Sequence, residues 1–369
     1  MKFYGILFAL ILSAGTLFVT PAHATQSVVV ISDTFHREVN GKFTDDSLGE
    51  SISIIGDLYN KVSTADQSAT WLIDPQIIEE IVDMSDGYRV LPDREGRYVA
   101  AAQSFLALLR ATINEGQIYA LPYGSPDTRT RKKVSEVELA QLQSISALRL
   151  ARALDLPVSA GLPQGYTISK KTPTNQAKSA FFIIHKTLTK IGTITTDSEV
   201  AEVSLRANAL LNPNLSRRQV QYLSILLKGT VDRLEKKVRV LPGTYTLTST
   251  NEEIPITVVN NFAAPAEVVL ILHAENARIV IDTAKKVRID ENSRKQVLIT
   301  AKSVANGKVR VEARLETPKG ARYGETNFLQ FTISMIGPAI TWVMVGAGTL
   351  LVFGSGLQIY RRAKRRVVS

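Results

Sequence analysis

The sequence predicts an α/β domain followed by an immunoglobulin-like β-sandwich and one C-terminal transmembrane helix. Up to about residue 240, short apolar runs alternate with stretches of helical period, the order of strand–loop–helix units in a partial barrel or layered sheet. Beyond Gly243 the helical period gives way to β-branched residues alternating with polar ones. Ile336 to Tyr360 then runs for 25 residues without an Asp, Glu, Lys or Arg, closed by Arg361-Arg362-Ala363-Lys364-Arg365-Arg366. At roughly 1.5 Å per residue that run is about 37 Å long, more than the roughly 30 Å of bilayer hydrocarbon. Trp342 and Tyr360 stand where interfacial aromatics belong, and the basic block marks the cytoplasmic end.

The amino end reads as a secretory leader over residues 1–24. Met1-Lys2 precedes an uncharged run from Phe3 to Val19, and Pro21-Ala22-His23-Ala24 offers a small-x-small cleavage site. The expected organisation is an extracytoplasmic α/β domain over 25–240, a sandwich over 241–335, a membrane helix over 336–360 and a basic cytoplasmic tail over 361–369.

Ser27-Val28-Val29-Val30-Ile31-Ser32 opens the first domain as a buried strand. A helix follows from Ser47 to Val62 behind Asp45-Asp46, with Leu48, Ile52, Ile55, Leu58, Tyr59 and Val62 on its apolar face. Ala69 to Ile73 is the second strand, and Asp74-Pro75 starts a helix to Met84 with proline in its first position. Tyr98 to Ile113 is helical and ends at Asn114-Glu115-Gly116; Ile118 to Leu121 is the third strand. Thr128 to Lys133 reads as a solvated basic loop and Val134 to Leu154 as a helix. From Pro157 to Ala180 three prolines and two glycines predict a loop, and Phe181-Phe182-Ile183-Ile184-His185 a fourth strand. Two helices close the domain, Ser198 to Leu211 behind Asp197 and Arg217 to about Lys237 behind Ser216.

The sandwich strands are expected at Tyr245–Ser249, Ile254–Asn260, Glu267–His273, Arg278–Asp282, Lys286–Ile289, Lys295–Ala301, Lys308–Leu315 and Asn327–Ile333. Their spacing of about twelve residues, with turns at Asn260-Asn261, Asn306-Gly307 and Pro318-Lys319-Gly320, is that of an immunoglobulin-like domain.

The net charge of +10 does not describe a nucleic-acid-binding face. Lys2 and the five tail cations take six of the 44 basic residues, leaving 38 against 34 acidic ones. With no cysteine in the chain, disulfides, thiolate metal sites and cysteine nucleophiles are excluded. No HExxH, GxxxxGK[ST] or GxSxG motif occurs, and no residue pattern calls for a metal or cofactor.

Ligands of α/β sheets bind beyond the carboxyl ends of the strands. There stand Asp33, Asp74, Tyr123, Asp127 and His185, with Asp45 and Asp46 in a neighbouring loop. As a binding set, Asp33, Asp74, Tyr123, Asp127 and His185 could hold sugar hydroxyls. As catalytic carboxylates, Asp45, Asp46, Asp74 and Asp127 could act on a glycosidic bond. Each Asp between a strand and a helix also suits an N-cap, the commoner duty.

Phe43-Thr44-Asp45-Asp46-Ser47-Leu48, Trp71-Leu72-Ile73-Asp74-Pro75 and Ala120-Leu121-Pro122-Tyr123-Gly124-Ser125-Pro126-Asp127 resemble marks of an actinobacterial single-pass envelope family of unknown function. Ile254 to Asn261 and Thr317 to Gly324 are similar to parts of its sandwich. The resemblance implies a leader, an α/β region, a sandwich and a membrane helix, and a place in wall assembly beside the flippase for the lipid-linked peptidoglycan precursor. It also implies a faint likeness to polysaccharide deacetylase and glycoside hydrolase barrels, although the deacetylase histidine pair is missing here. The expected function is therefore a non-enzymatic envelope protein, held in the bilayer through Ile336 to Tyr360, that binds a wall saccharide, a precursor or a partner protein. The alternatives are a glycan hydrolase and a structural spacer.

Overall fold

A computed structural model describes residues 27–66, 68–113, 117–163, 166, 170–335 and 338–366. The expected leader lies outside these residues, as do Asn114-Glu115-Gly116. The amino-terminal region contains, in order, β1 (Val28–Ile31), α1 (Ser47–Ser51), α2 (Asp57–Ser63), β2 (Thr70–Ile73) and α3 (Pro75–Ser85). A small hairpin, β3 (Arg89–Val90) and β4 (Arg94–Glu95), leads to α4 (Val99–Thr112), β5 (Ile118–Ala120), α5 (Thr128–Val134), α6 (Glu136–Leu154) and β6 (Ser159–Ala160). The four longer-range strands form one parallel sheet in the order β1-β2-β5-β6, with Val28 opposite Thr70 and Trp71 opposite Ile118. Trp71, Leu72 and Ile73 are fully buried, as a strand covered on both faces requires.

Four sequence expectations are corrected. The helix expected over residues 47–62 is two helices, because the chain turns between Ser53 and Gly56, leaving Ile54 and Ile55 exposed. A Cβ on Gly56 would meet the Ser51 carbonyl oxygen at 2.2 Å, so only glycine permits that turn. Thr128 to Lys133 is not a loop but most of α5, capped by Asp127. Phe181 to His185 is not a strand; it lies within α7 (Asn175–Gly192), whose buried residues Ala177, Phe181, Ile184, Leu188 and Ile191 recur at helical spacing behind a Thr174 cap. The fourth strand is instead Ser159–Ala160, within the stretch expected as a loop.

Helix α8 (Ser198–Ala207) runs into a 3-10 turn, Asn208–Leu211, and α9 (Arg217–Glu235) follows behind a capping box in which Ser216 and Gln219 exchange hydrogen bonds. The sandwich begins with β7 (Val238–Val240), β8 (Thr244–Leu247), β9 (Asn251–Asn260), β10 (Ala266–Ala274) and β11 (Ile279–Ile281). It is completed by β12 (Ala284–Ile289), β13 (Ser293–Ser303), β14 (Gly307–Glu316) and β15 (Arg322–Ile333). One sheet has the order β12-β10-β14-β15-β8 and the other β11-β13-β9-β7. All eight strands expected from the alternation are present. Pairing starts earlier, at Val238, which faces Asn260 ahead of Pro242-Gly243.

The apolar cores divide the molecule unexpectedly. One holds the parallel sheet with α1 to α4 and part of α6. A second runs without interruption from Phe181, Leu188, Val203 and Leu227 of the later helices into Val258, Phe262, Leu270 and Phe331 of the sandwich, and a small third cluster joins Tyr123 to Leu139, Leu142 and Leu205. Polar contacts reinforce that seam: Glu267 N–H donates to the Ile194 carbonyl at 2.8 Å and Ala263 N–H to Asp197 Oδ2 at 2.7 Å.

The last helix, α10 (Pro338–Arg366), presents exposed apolar side chains, Leu350 and Phe353 among them. Among the described residues no helix is long and apolar enough to cross a membrane. Ile336 and Gly337, where the expected span begins, lie outside those residues, as do the side chains of Trp342 and Tyr360.

The 3-10 turn sits on the carboxyl edge of the parallel sheet. Asp127 N–H donates to the Leu211 carbonyl at 2.8 Å, and Asn212 Nδ2 donates to the Asp33 carbonyl at 3.1 Å. Gly124, at φ +79°, passes so close that a Cβ there would lie 2.9 Å from Ala209 N and Cα. Gly124→Ala should therefore lower stability by about 2–4 kcal/mol, through backbone strain and overpacking, as read from urea unfolding curves.

Candidate functional site

The carboxyl edge of the sheet contains Asp33, Asp74, Tyr123 and Asp127, and the 3-10 turn sits over it. Asp74 is fully buried. Its Oδ1 accepts from Gln76 N–H at 2.9 Å and Gly124 N–H at 3.1 Å, and its Oδ2 from Ser125 Oγ at 2.6 Å. It is thus the N-cap of α3 and the clamp on the loop after β5. Burial pushes its carboxyl up to about 7 against those hydrogen bonds, with the nearby Glu80 charge adding to the rise. Tyr123, also buried, donates its hydroxyl to Glu79 Oε2 at 3.0 Å beneath the Arg149 guanidinium, 5.2 Å from the ring centre. Arg149 joins Glu79 to Glu202, and Arg206 joins Glu202 to the Glu38 carbonyl, so this ladder ties α3, α6 and α8 together.

Asp127 caps α5 and takes Arg129 Nε at 3.0 Å. Burial would raise its carboxyl, but Thr130 and Arg129 outweigh it and hold it low. Asp46 accepts from the Tyr88 hydroxyl at 2.7 Å and pairs with Arg94 and Arg97 at 2.7 and 3.1 Å. Asp74, Asp127 and Asp46 are therefore spent on caps and ion pairs.

Asp33 and Asp45 belong to a cluster the sequence did not disclose, built around His36. The buried imidazole has Nε2 3.6 Å from Asp33 Oδ2, Nδ1 3.9 Å from Asp45 Oδ1, and Nδ1 3.2 Å from Ser47 Oγ. Asp45 also accepts from Ser47 Oγ at 2.5 Å. A serine, a histidine and an aspartate in sequence suggest nucleophilic catalysis, but the electrostatics oppose it. Burial alone would lower the imidazole pKa; Asp33, Asp45 and Glu80 outweigh it and raise it to about 10. At neutral pH the ring is an imidazolium without a lone pair for the serine proton, so the cluster acts as a charged lock across the loop between β1 and α1.

His185 stands apart, on α7. Its Nε2 meets Glu138 Oε2 of α6 at 2.7 Å, and the same oxygen accepts Arg131 Nη2 of α5 at 2.7 Å. These three residues line one side of a groove of about 620 Å³ between α6, α7 and α8. Arg131 was missed because Thr128 to Lys133 reads as a solvated loop, and Glu138 because nothing in the period of the expected helix Val134 to Leu154 singles it out. The signal available was the serine cap at Ser135 followed by Glu138 at the third helical position. Among the predicted residues only His185 lines this groove; Asp33, Asp45, Asp46, Asp74, Tyr123 and Asp127 do not.

Residues 184–366 match the model of a family of unknown function, DUF6049. No protein of curated description matches the chain. Solved structures similar to it include WR4, a Caenorhabditis elegans MSP family member, at 7% identity and TM-score 0.21, covering 27% of this chain and 98% of that one. The PapD-like domain 7 of human CEP192 is similar at 12% identity and TM-score 0.20, covering 27% and 87%. The CARDB domain of the PF1109 protein of Pyrococcus furiosus is similar at 8% and 0.21, covering 27% and 90%. At these scores the similarities support no assignment of function.

Two pH dependences follow from the buried groups. For Asp74 the folded pKa lies above the ordinary 3.8, so stability falls as pH rises from about 4 to 7 and the loss is complete above that. Asp74→Asn keeps an oxygen for the two N–H donors and should gain roughly 1–3 kcal/mol relative to wild type between pH 4 and pH 8. Denaturant titrations at the two pH values measure this. His36 behaves as a raised base: its contribution is full below 6.5 and is lost as pH rises to about 10. His36→Gln should cost roughly 1–3 kcal/mol at pH 6 and much less at pH 10, a contrast that thermal melts across that range would register.

Proposed function

We propose that the chain is a non-enzymatic, single-pass protein of a bacterial cell envelope. Its outer region, residues 25–335, binds a wall saccharide, a wall precursor or a partner protein, and its basic tail lies in the cytoplasm. The observation that carries the binding reading is the contrast between two places. At the sheet edge, where α/β enzymes act, the chain's own 3-10 turn covers carboxylates engaged in caps; between α6, α7 and α8 a groove stays open. The membrane reading is supported by the uncharged run from Ile336 to Tyr360 and its basic closure. The resemblance to an actinobacterial envelope family supports wall assembly as the process and the precursor flippase as a partner class.

A glycan hydrolase would require two carboxyl groups roughly 5–10 Å apart across an open cleft. Asp74 and Asp127 as caps and Asp46 in ion pairs do not supply that arrangement.

Protease added to intact bacterial spheroplasts expressing the chain should digest residues 25–335 and leave a tag on Ser369 protected; a protected outer region would reject the topology. The detergent-solubilised full chain, titrated with peptidoglycan fragments and with candidate envelope proteins, should bind at least one. Failure with all of them would reject the binding role.

A further inference from the structure

The segments that open α5, α7 and α9 are tied side by side, and each is basic. Arg129, in the first turn of α5, donates from Nη2 to the Lys171 carbonyl at 2.9 Å, and Lys171 Nζ donates to Asn214 Oδ1 at 3.1 Å. Asp127 N–H closes the set on the Leu211 carbonyl at 2.8 Å. On α5, Lys132 and Lys133 stand three and four residues beyond Arg129, the spacing that shares one helix face, while Arg131 is buried and pairs with Glu138. Lys170 precedes Lys171, Lys178 lies one turn into α7, and Arg217 and Arg218 are the first two residues of α9.

Leaving Arg131 aside, residues 127–136, 170–178 and 212–218 hold eight cations against two acids, Asp127 and Glu136. Outside the leader and the tail the whole chain has 38 basic residues against 34 acidic ones, so a surplus of six here means that the remainder is slightly acidic. The positive excess of the outer region is thus concentrated at one end. Lys132 pairs with Glu136 at 2.9 Å and Arg129 with Asp127 at 3.0 Å; among the described residues Lys133, Lys170, Lys178, Arg217 and Arg218 make no ion pair. Arg217 and Arg218 also stand where a helix disfavours them, since the free N–H groups of its first turn carry partial positive charge. No acid occupies the first turn of α7 or α9 to offset this.

We propose that this basic end is the docking surface for a phosphodiester-linked polymer, a chain of sugars or polyols with one phosphate per repeat. Cations spread over three segments match a repeated charge better than a single anion. Arg129, Arg217 and Arg218 suit the bidentate geometry of phosphate, and the lysines add point charges. The three segments contain no Phe, Tyr or Trp on which a nucleobase could stack. Exposed Thr172, Asn175 and Gln176 lie among the cations and suit the hydroxyls of a polyol. The inference rests on the binding reading above and deepens it by making the wall saccharide an anionic one.

The test uses the full chain in non-ionic detergent, with Arg361, Arg362, Lys364, Arg365 and Arg366 each changed to Gln so that the tail does not compete. Fluorescent poly(glycerol phosphate) of roughly 20 repeats is titrated by anisotropy. It should bind with a Kd below about 10 μM at about 50 mM salt, and about tenfold or more weakly at about 200 mM, as engagement of three or more phosphates requires. Lys133→Gln, Lys170→Gln, Arg217→Gln and Arg218→Gln together should weaken binding about tenfold or more. Should that set fail to fold, Arg217→Gln with Arg218→Gln is read in its place, with a loss of about threefold or more expected. Lys286→Gln, Arg294→Gln, Lys302→Gln and Lys308→Gln, exposed residues of the sandwich, remove the same charge and should leave affinity within about twofold. Undiminished binding by the first set, equal weakening by both sets, or no binding of the polymer up to about 1 mM overturns the proposal. Oligothymidylate of equal phosphate number, bound about tenfold more tightly than the polyol polymer, would overturn it in favour of a nucleic acid. Binding of neutral peptidoglycan fragments without binding of the polymer would reject the anionic ligand and spare the broader role.

Discussion

Much of this structure depends on one close approach, that of Gly124 to Ala209. The loop after β5 can press against the 3-10 turn only where a side chain is missing. The contact seals the edge of the parallel sheet and leaves Asp74 without solvent. Once sealed, that edge becomes a joint: its hydrogen-bonding groups face Leu211 and Asn212 of the later helices in place of a substrate. A partial sheet of four short strands, too small to close on itself, thereby obtains a lid from the rest of the chain.

The same seating explains why the helices change allegiance. Helices α7 to α9 touch the sheet through the turn, the Glu79–Arg149–Glu202–Arg206 ladder and two aromatic contacts, Phe35 against Tyr222 and Tyr123 in a small cluster with Leu205. Most of their apolar residues lie in the core they share with the sandwich. Because α6 belongs partly to the first core and α7 and α8 to the second, the groove lies along the seam between two hydrophobic bodies. Seams of this kind are where packing is least complete and ligand sites most often form.

Much of this was legible in the residues. The β-alternation of Val309, Val311, Ala313 and Leu315 reports a half-buried strand because one side chain in two must be apolar, and every expected sandwich strand formed. Asp74-Pro75, Asp127, Asp197 and Ser216 marked helix starts because capping is local chemistry. Phe181 to His185 misled because four consecutive apolar residues satisfy a strand and a helix alike; Ala177 before them and Leu188 and Ile191 after them decide for the helix. The site was far less legible. Whether Asp74 is a catalyst or a cap depends on what covers it, and the covering turn lies over 130 residues away in the chain. Arg131, Glu138 and His185 meet only through tertiary packing, which no local period encodes.

The end of the sandwich carries a smaller feature with a mechanical meaning. Asn306, at the tip of the turn between β13 and β14, accepts from Met335 N–H at 2.8 Å and donates to the Met335 carbonyl at 3.3 Å. The strand that leads toward α10 is thus pinned beyond its last ladder bond, and only Ile336 and Gly337 separate the pin from Pro338. The pin therefore holds the end of β15 against the turn between β13 and β14, so a pull on the chain beyond Met335 meets two side-chain hydrogen bonds before it reaches the strand ladder.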